Sequence, residues 1–133
     1  MLIERGGHPF IGKLALPGGF ANENEPIEET AARELEEETG IAGLPMELVG
    51  VFSRPERDPR GWVVSAVYAS VVDSRDLSVR AGDDAASAQW YTVVPEESGL
   101  VLLRGEQRIP AEELAFDHAE ILQAALKRLP VLY

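Results

Sequence analysis

Three glutamates in the segment RELEEETGI, residues 33–41, have a spacing that could support chemistry. On an α-helix each residue advances by about 100°, so Glu38 lies about 40° and Glu37 about 60° from Glu34. The three carboxylates therefore share one arc of the helix, whereas Glu36 points about 200° away and is expected to be exposed. Carboxylate oxygens grouped in this way are typical ligands of a hard divalent cation such as Mg²⁺ or Mn²⁺.

An acidic run of this kind is more often a solvated helix face than a set of metal ligands. Against the solvated face, like charges three or four residues apart destabilise a helix by on the order of 0.2–0.5 kcal/mol per pair. Arg33 is the only basic residue in the segment and is not expected to neutralise three carboxylates. A divalent cation together with the phosphates of a ligand would offset that repulsion. Composition alone leaves both interpretations open.

A helix from Pro26 to Thr39 is predicted to carry these glutamates. Its buried stripe is expected to consist of apolar residues that recur every four positions, namely Ile27, Ala31 and Leu35. Pro26 suits the first turn of a helix, and Gly40 suits the position just after the last turn. Before the helix, the paired glycines Gly18 and Gly19 allow a tight turn or the close approach of another group.

Apolar segments on both sides of the helix predict a sheet. Strands are expected at residues 1–4, 14–17, 46–52, 62–72 and 87–93. The fourth is almost entirely apolar or small, which favours a position in the middle of a sheet. A turn is expected at residues 81–85, residues 95–110 look irregular, and residues 111–129 predict a terminal amphipathic helix. This order predicts one α/β domain over residues 1–133, with a mixed sheet flanked by helices.

Composition limits the partners and the cofactors. The 133 residues include no cysteine, which excludes disulfides and thiolate metal sites. The net charge of −11 would repel a phosphate backbone, so nucleic acid is not an expected partner. No apolar run reaches the roughly 20 residues that cross a bilayer, and no secretory leader opens the sequence. A soluble, cytoplasmic protein without membrane contact is therefore expected.

Spacing is more informative than composition. Nine residues follow the pattern G-x5-E-x7-R-E-L-x-E-E-x-G-I, namely Gly19, Glu25, Arg33, Glu34, Leu35, Glu37, Glu38, Gly40 and Ile41. With average residue usage, this coincidence has a probability on the order of 10⁻¹⁰ per starting position. The sequence resembles the Nudix hydrolase family at every fixed position of that family's signature. The resemblance implies an α/β/α sandwich that uses divalent cations to hydrolyse a nucleoside diphosphate linked to another group.

The resemblance also implies a role for each residue of the signature. The carboxylates that would bind Mg²⁺ or Mn²⁺ and carry catalysis are Glu34, Glu37 and Glu38. Glu25 and Arg33 would form a buried pair that holds the leading loop against the helix. Gly19 and Gly40 would shape the loop backbone, and the core would include Leu35 and Ile41. One of the glutamates would also orient or deprotonate the attacking water.

Segments outside the signature narrow the resemblance to the ADP-ribose pyrophosphatases of the family. These segments are LALPGGF before the helix, DPRG and AGDDA after it, and LAFDHAEIL near the end. The resemblance implies a small-molecule nucleotide as partner, with ADP-ribose cleaved to AMP and ribose 5-phosphate as the leading reaction. Two alternatives stay open, a pyrophosphatase acting on nucleoside triphosphates and a non-catalytic nucleotide sensor. The intact signature favours an enzyme over the sensor.

The chain departs from the family pattern in two places. Family members carry a further strand before the one that corresponds to residues 1–5, so the usual first edge strand is expected to be missing. Completion of the sheet by a second subunit would then make a homodimer, which is left open. Trp62 stands where an arginine is common after DPRG, so one polar contact of the subgroup is expected to be absent.

Several residues outside the signature have two interpretations. Three loop arginines could bind substrate phosphate or ribose, namely Arg54, Arg57 and Arg60. They could equally be surface charges paired with nearby acids. A core position is favoured over base stacking for the aromatic residues Phe52, Trp62 and Trp90. A structural role is favoured for His118, with its tautomer fixed by Asp117 or a backbone group. Solvated positions are favoured over a catalytic base for Glu96, Glu97 and Glu106.

Overall fold

The structure is a computed structural model that describes residues 1–73 and 85–129, without the side chains of residues 85–87. Its strands are β1 (Leu2–Arg5), β2 (Leu14–Ala15), β3 (Glu47–Phe52), β4 (Ser65–Ala69), β5 (Ala85–Gln89), β6 (Thr92–Glu96), β7 (Gly99–Arg104) and β8 (Gln107–Pro110). Its helices are α1 (Ile27–Thr39) and α2 (His118–Arg128), with a short 3₁₀ helix at Ala111–Glu113. The turn predicted at residues 81–85 lies largely outside the described residues.

The described strands form three groups with the orders β2-β1-β5, β3-β4 and β6-β7-β8. Each pairing between these strands is antiparallel. Among the described strands β4 pairs with β3 alone, so the central position predicted for it is not observed there. The strand predicted at residues 87–93 is divided into β5 and β6 at Trp90 and Tyr91.

The prediction that residues 95–110 are irregular is wrong, because most of them belong to the β6-β7-β8 meander. Two tight turns join these strands. A glycine with positive φ follows the first turn as the opening residue of β7, Gly99 at 129°, and another lies in the second turn, Gly105 at 61°. The strands are only four to six residues long. Polar turn residues therefore interrupt the period-two pattern before it becomes recognisable.

The terminal helix is shorter than the predicted 111–129 segment. Phe116 adopts a φ of 53°, in the left-handed region that a right-handed helix cannot include, so α2 begins only at His118. The segment before α2 packs into the core. One buried cluster consists of Leu2, Leu102, Ala111 and Leu114, and the other consists of Ile3, Ala15, Ala88 and Ala115. Neither described helix is long and apolar enough to span a bilayer.

Helix α1 lies where the sequence predicts it, but the residues that are buried on the predicted face are mainly its polar ones. Gly40 has a left-handed φ of 80° and donates its amide to the carbonyl of Glu36, as expected for a residue that ends a helix. The predicted apolar stripe faces a cleft instead of the core: Ile27 is 45% exposed, and Ala31 and Leu35 are half-buried. The buried residues of the helix are Thr30, Glu34, Glu38 and Thr39. The loop that precedes the helix contacts these buried polar residues, and its contacts belong to the site.

Candidate active site

Glu25 and Arg33 form the ion pair that the signature implies. Nε and Nη2 of Arg33 donate to the two carboxylate oxygens of Glu25 at 2.7 and 3.0 Å. Nη2 also donates to the Phe20 carbonyl at 3.0 Å, so one guanidinium ties the loop at two points. Hydrogen bonds from Arg33, from the Asn22 amide and from Thr30 lower the pKa of Glu25 to about 2. The pair is half-buried, with the Arg33 side chain 26% exposed.

The remaining edge of the Arg33 guanidinium contacts two of the three candidate ligands. Nη1 donates to Glu34 at 2.6 Å and to Glu37 at 3.1 Å. These contacts, after the larger effect of Glu25, raise the pKa of Arg33 above its ordinary value. The expectation that Arg33 does not neutralise the three carboxylates is therefore only partly right. Arg33 bridges Glu34 and Glu37 but forms no such bond to Glu38.

Glu34 and Glu38 lie together against the paired glycines. Both are buried, and the Gly18 amide donates to Oε1 of Glu38 at 3.2 Å. A Cβ added to Gly19 would lie 2.5 and 2.6 Å from the two carboxylate oxygens of Glu34. The bare backbone of Gly19 thus leaves the space that this carboxylate occupies. Close approach, one of the two roles that the sequence allows for the pair, is what Gly19 provides.

Glu36 and Glu37 lie nearer to solvent than the other two. Glu36 is exposed, as expected, and the Glu37 side chain is 48% exposed. Among the described residues, no group of three carboxylate or imidazole side chains is arranged to bind one ion. The donor set nevertheless fits a divalent cation, because hard cations prefer carboxylate oxygens and Glu34 and Glu38 both line a cleft that is described below. The residues that would hold the ion are Glu34, Glu37 and Glu38, with ligand phosphates and water completing the shell.

Gly19→Ala is expected to reduce turnover by at least about tenfold while lowering the melting temperature by only a few degrees, because its methyl group displaces the flexible end of Glu34. Gly18→Ala is the matched control, since nothing lies within 4 Å of a Cβ at Gly18. Rates of nucleotide hydrolysis and thermal melts measure the two effects. Equal activities of the two variants would contradict a special role for the space at Gly19.

The three loop arginines have different surroundings. Arg54 is exposed and its Nη1 donates to Glu120 of α2 at 2.9 Å. Arg57 is buried and makes a bidentate pair with Asp117, with Nε and Nη2 donating at 2.8 and 2.7 Å. Its guanidinium is thus committed to the protein interior. Arg60 pairs with the buried Asp58 but keeps 40% of its side chain exposed beside the cleft.

Three residues near Arg60 were not singled out from the sequence. The Arg60 guanidinium lies 4.9 Å from the ring centre of Phe20 and 5.0 Å from that of Phe116. Arg5 at the end of β1 lies 4.9 Å from the same Phe116 ring. Both phenylalanines occur in the segments that carry the subgroup resemblance, which is the signal that could have identified them. Arg5 has no comparable signal, because its neighbours here are more than 50 residues away in the chain.

His118 has the structural role expected of it. The Leu16 amide donates to Nδ1 of His118 at 2.9 Å, so the ring is neutral with its proton on Nε2. Burial lowers the pKa of His118 to about 4. This hydrogen bond links the first residue of α2 to the chain just before Gly18, so it helps to position the glycine turn.

Lowering the pH from 6.5 to 4 is expected to destabilise the wild type relative to His118→Asn by on the order of 3 kcal/mol. The pKa is lower in the folded state, so unfolding takes up a proton in this range and the stabilisation present above pH 6.5 is lost as the pH falls towards 4. Asparagine can still accept the Leu16 bond but does not titrate. Urea unfolding of both proteins at several pH values measures the difference, which should stay constant if burial of a neutral His118 is irrelevant.

The remaining candidates lie outside the carboxylate site. Core positions were favoured for the aromatic residues, and this is wrong for Trp62, which is 85% exposed, and for Trp90, which is 38% exposed. Phe52 is half-buried. Glu96 pairs with Arg108 on the β6-β7-β8 meander. Exposed positions are observed for Glu97 and Glu106.

One cleft of about 1200 Å³ lies between the carboxylate site and the cationic side chains. Its walls include the carboxylates of Glu34 and Glu38, the glycine turn, and the guanidinium groups of Arg5 and Arg60. The apolar residues Ala31 and Leu35 of α1 and residues 65–69 of β4 line the same space. A ligand in the cleft would therefore meet acidic groups, cationic groups and an apolar wall at once.

Comparison with known families agrees with this arrangement. A model of the NUDIX domain matches residues 1–95, and the chain belongs to the Nudix family. A curated relative, the ADP-ribose pyrophosphatase of Methanocaldococcus jannaschii, is 39% identical over 92% of this chain and 63% of its own length. The ADPR responsive transcriptional repressor NtrR of Acinetobacter baylyi is 32% identical over 97% of this chain and 47% of its own length. The chain thus spans about half to two thirds of these relatives.

Solved structures confirm the α/β Nudix fold. A MutT/nudix family protein from Enterococcus faecalis superimposes with a TM-score of 0.85 and 38% identity, over 96% of this chain and 53% of that one. A bifunctional NMN adenylyltransferase/ADP ribose pyrophosphatase from Francisella tularensis, complexed with AMP and a manganese ion, has a TM-score of 0.70 and 27% identity, over 95% of this chain and 36% of that one. The resemblance to ADP-ribose pyrophosphatases within the family is confirmed.

Proposed function

We propose that this chain is a divalent-cation-dependent pyrophosphohydrolase that cleaves ADP-ribose to AMP and ribose 5-phosphate. The observation that carries the proposal is the placement of Glu34 and Glu38, buried side by side against Gly18 and Gly19 in the wall of the cleft. Two buried carboxylates one turn apart on a helix repel each other, and a bound cation would offset that repulsion. The similarity to an ADP-ribose pyrophosphatase supports the choice of substrate.

The cation would supply two things when bound: neutralisation of the pyrophosphate charge and a lower pKa for a bound water. The residues of the chain prepare its site. Arg33 keeps the loop closed over α1 through Glu25 and Phe20 and reduces the repulsion between Glu34 and Glu37. The Gly18 amide orients the Glu38 carboxylate. One of these carboxylates would orient or deprotonate the attacking water.

The test is product analysis with purified protein and ADP-ribose, with Mg²⁺ or Mn²⁺ and with a chelator. AMP and ribose 5-phosphate in equal amounts, formed only with the metal, are the expected products. NADH, diadenosine polyphosphates and nucleoside triphosphates belong in the same panel at matched concentrations. A higher kcat/KM for a nucleoside triphosphate, with pyrophosphate released, would contradict ADP-ribose as the substrate and favour a pyrophosphatase acting on nucleoside triphosphates.

A second function is a non-catalytic nucleotide sensor, and the similarity to an ADPR responsive repressor favours it. In that case ADP-ribose would raise the melting temperature of the chain in the presence of metal, but no AMP would accumulate over hours. Binding and turnover are measured on the same samples, so the two functions give opposite results in the second assay.

A further inference from the structure

The cationic side of the cleft, opposite in charge to the carboxylate site, has no role in the signature. We propose that Arg5 and Arg60 form a binding site for a phosphate group, next to Glu34 and Glu38, which deepens the proposed function by placing a second phosphate of the ligand. The site would take the phosphate of a pyrophosphate-containing ligand that the carboxylate-bound cation does not hold. The proposal rests on the proposed function for its biological ligand, although the anion itself can be tested separately.

The two guanidinium groups converge on one aromatic ring. Both lie within 5.0 Å of the ring centre of Phe116, and Arg60 lies as close to Phe20 on another side. Phe10 braces Phe116 by an edge contact, with ring centres 4.8 Å apart. Stacked guanidinium groups are held in place with their edges available for planar, bidentate recognition of phosphate.

Each arginine is also anchored by one hydrogen-bonded edge. Nε of Arg5 donates to the Pro9 carbonyl at 2.7 Å, and Nε and Nη2 of Arg60 donate to Asp58. Within the described residues, both terminal nitrogens of Arg5 and Nη1 of Arg60 donate to no protein group. The donors at this site are therefore already oriented. Because the two side chains lose little conformational entropy when an anion binds, tight binding is favoured.

Within the part of the chain that the structure describes, this position has two guanidinium groups and one bonded carboxylate. Asp58 is hydrogen-bonded to Arg60, whereas no carboxylate of the described residues is bonded to Arg5. Burial and, to a lesser extent, the charge of Arg60 lower the pKa of Arg5, while the charges of Glu38 and Asp58 oppose this shift. A bound phosphate would relieve the repulsion between the guanidinium groups. Arg5 and Arg60 line the same cleft as Glu38, so the phosphate would lie close to the carboxylate site.

The first experiment uses inorganic pyrophosphate as the probe, in the presence of a chelator, with binding measured by calorimetry. Arg5→Gln is expected to weaken binding by about 10- to 100-fold, the loss that follows from removing charged hydrogen bonds. Arg5→Lys, which keeps the charge but not the planar donors, should recover part of the affinity. Arg54→Gln is the matched control, because it removes the same charge from an exposed pair and should bind within about twofold of the wild type.

Arg60 gives an independent variant that preserves a cation beside Asp58. Arg60→Lys is expected to weaken pyrophosphate binding by about tenfold, while its melting temperature stays within a few degrees of the wild type. Unchanged affinity in both Arg5→Gln and Arg60→Lys, or absence of pyrophosphate binding by the wild type, would overturn the phosphate site. Far-UV circular dichroism verifies that each variant is folded before titration.

A second experiment separates this inference from the proposed function. With ADP-ribose and Mg²⁺, Arg5→Gln should raise KM by at least about tenfold with kcat within about threefold, because the lost contact acts on binding. If the wild type binds pyrophosphate through Arg5 but does not hydrolyse ADP-ribose, the proposed function fails and the phosphate site stands. If the wild type hydrolyses ADP-ribose and Arg5→Gln changes neither KM nor pyrophosphate affinity, the phosphate site fails and the function stands.

Discussion

Glu38→Gln is expected to lower kcat for ADP-ribose by at least about 10²-fold, because it removes one negative charge from the site that would bind the cation. Glu37→Gln should have an effect of the same order. Glutamine has nearly the same shape as glutamate, and in Glu38→Gln its carbonyl oxygen can still accept the hydrogen bond from the Gly18 amide. The fold should therefore persist in both variants. Steady-state hydrolysis at saturating metal, with circular dichroism of the same samples, measures both quantities.

Glu36→Gln provides the matched control for this pair of variants. It removes the same charge from the same helix, but the side chain is exposed and lies away from the cleft. Its turnover should stay within about twofold of the wild type, because screened surface charges contribute little. Near-wild-type turnover of both Glu37→Gln and Glu38→Gln would refute the assignment of a metal site to this helix. A loss in all three variants would show that net charge, and not position, determines activity.

The part of the site that could be predicted from the sequence is the part that is local in sequence. Helix α1 is found within one residue of its predicted start because Pro26 and Gly40 mark its ends. The pair between Glu25 and Arg33 connects residues only eight positions apart, and the spacing of a known signature is enough to predict it.

The burial of α1 could not be predicted in the same way. Periodicity identifies which residues share a face, but the loop or sheet that covers the face is determined by tertiary contacts. Here the loop that precedes the helix contacts Thr30 and Glu34, which are buried, while Ile27 on the same face is 45% exposed. Burial within this face therefore follows the contacts of the loop and not the hydrophobicity of the side chains.

The contacts on the cationic side are non-local for the same reason. Arg57 and Asp117 are 60 positions apart, and the Leu16 amide reaches His118 across 102 positions. A loop rich in arginine and proline contains no information about which of its side chains turns inwards. The sequence therefore leaves Arg54, Arg57 and Arg60 equivalent, whereas the structure separates them into an exposed pair, a buried pair and a stacked group.

Arg57→Gln is expected to lower the free energy of unfolding by about 3–5 kcal/mol, because it leaves the Asp117 carboxylate buried without its partner. Both side chains of the pair are 3% exposed, so solvent does not screen the remaining charge. Arg57 also donates to Ser65 at 2.8 Å, and the loss of that bond adds to the effect. Urea unfolding at neutral pH measures the change, and the melting temperature should fall by about 10 °C or more.

Two further variants distinguish this structural role of Arg57 from direct substrate binding. Arg54→Gln removes an equal charge from an exposed pair and should cost no more than about 1 kcal/mol. Combining Arg57→Gln with Asp117→Asn removes both buried charges, so part of the stability lost in the single variant should return. If Arg57 acts mainly on substrate, Arg57→Gln would instead keep the wild-type unfolding curve and raise KM. Adding Asp117→Asn would then leave KM raised. A buried pair that joins the loop to the start of α2 predicts the opposite result. The free energy of unfolding should fall in Arg57→Gln, and KM should rise only as far as the loop becomes less well held.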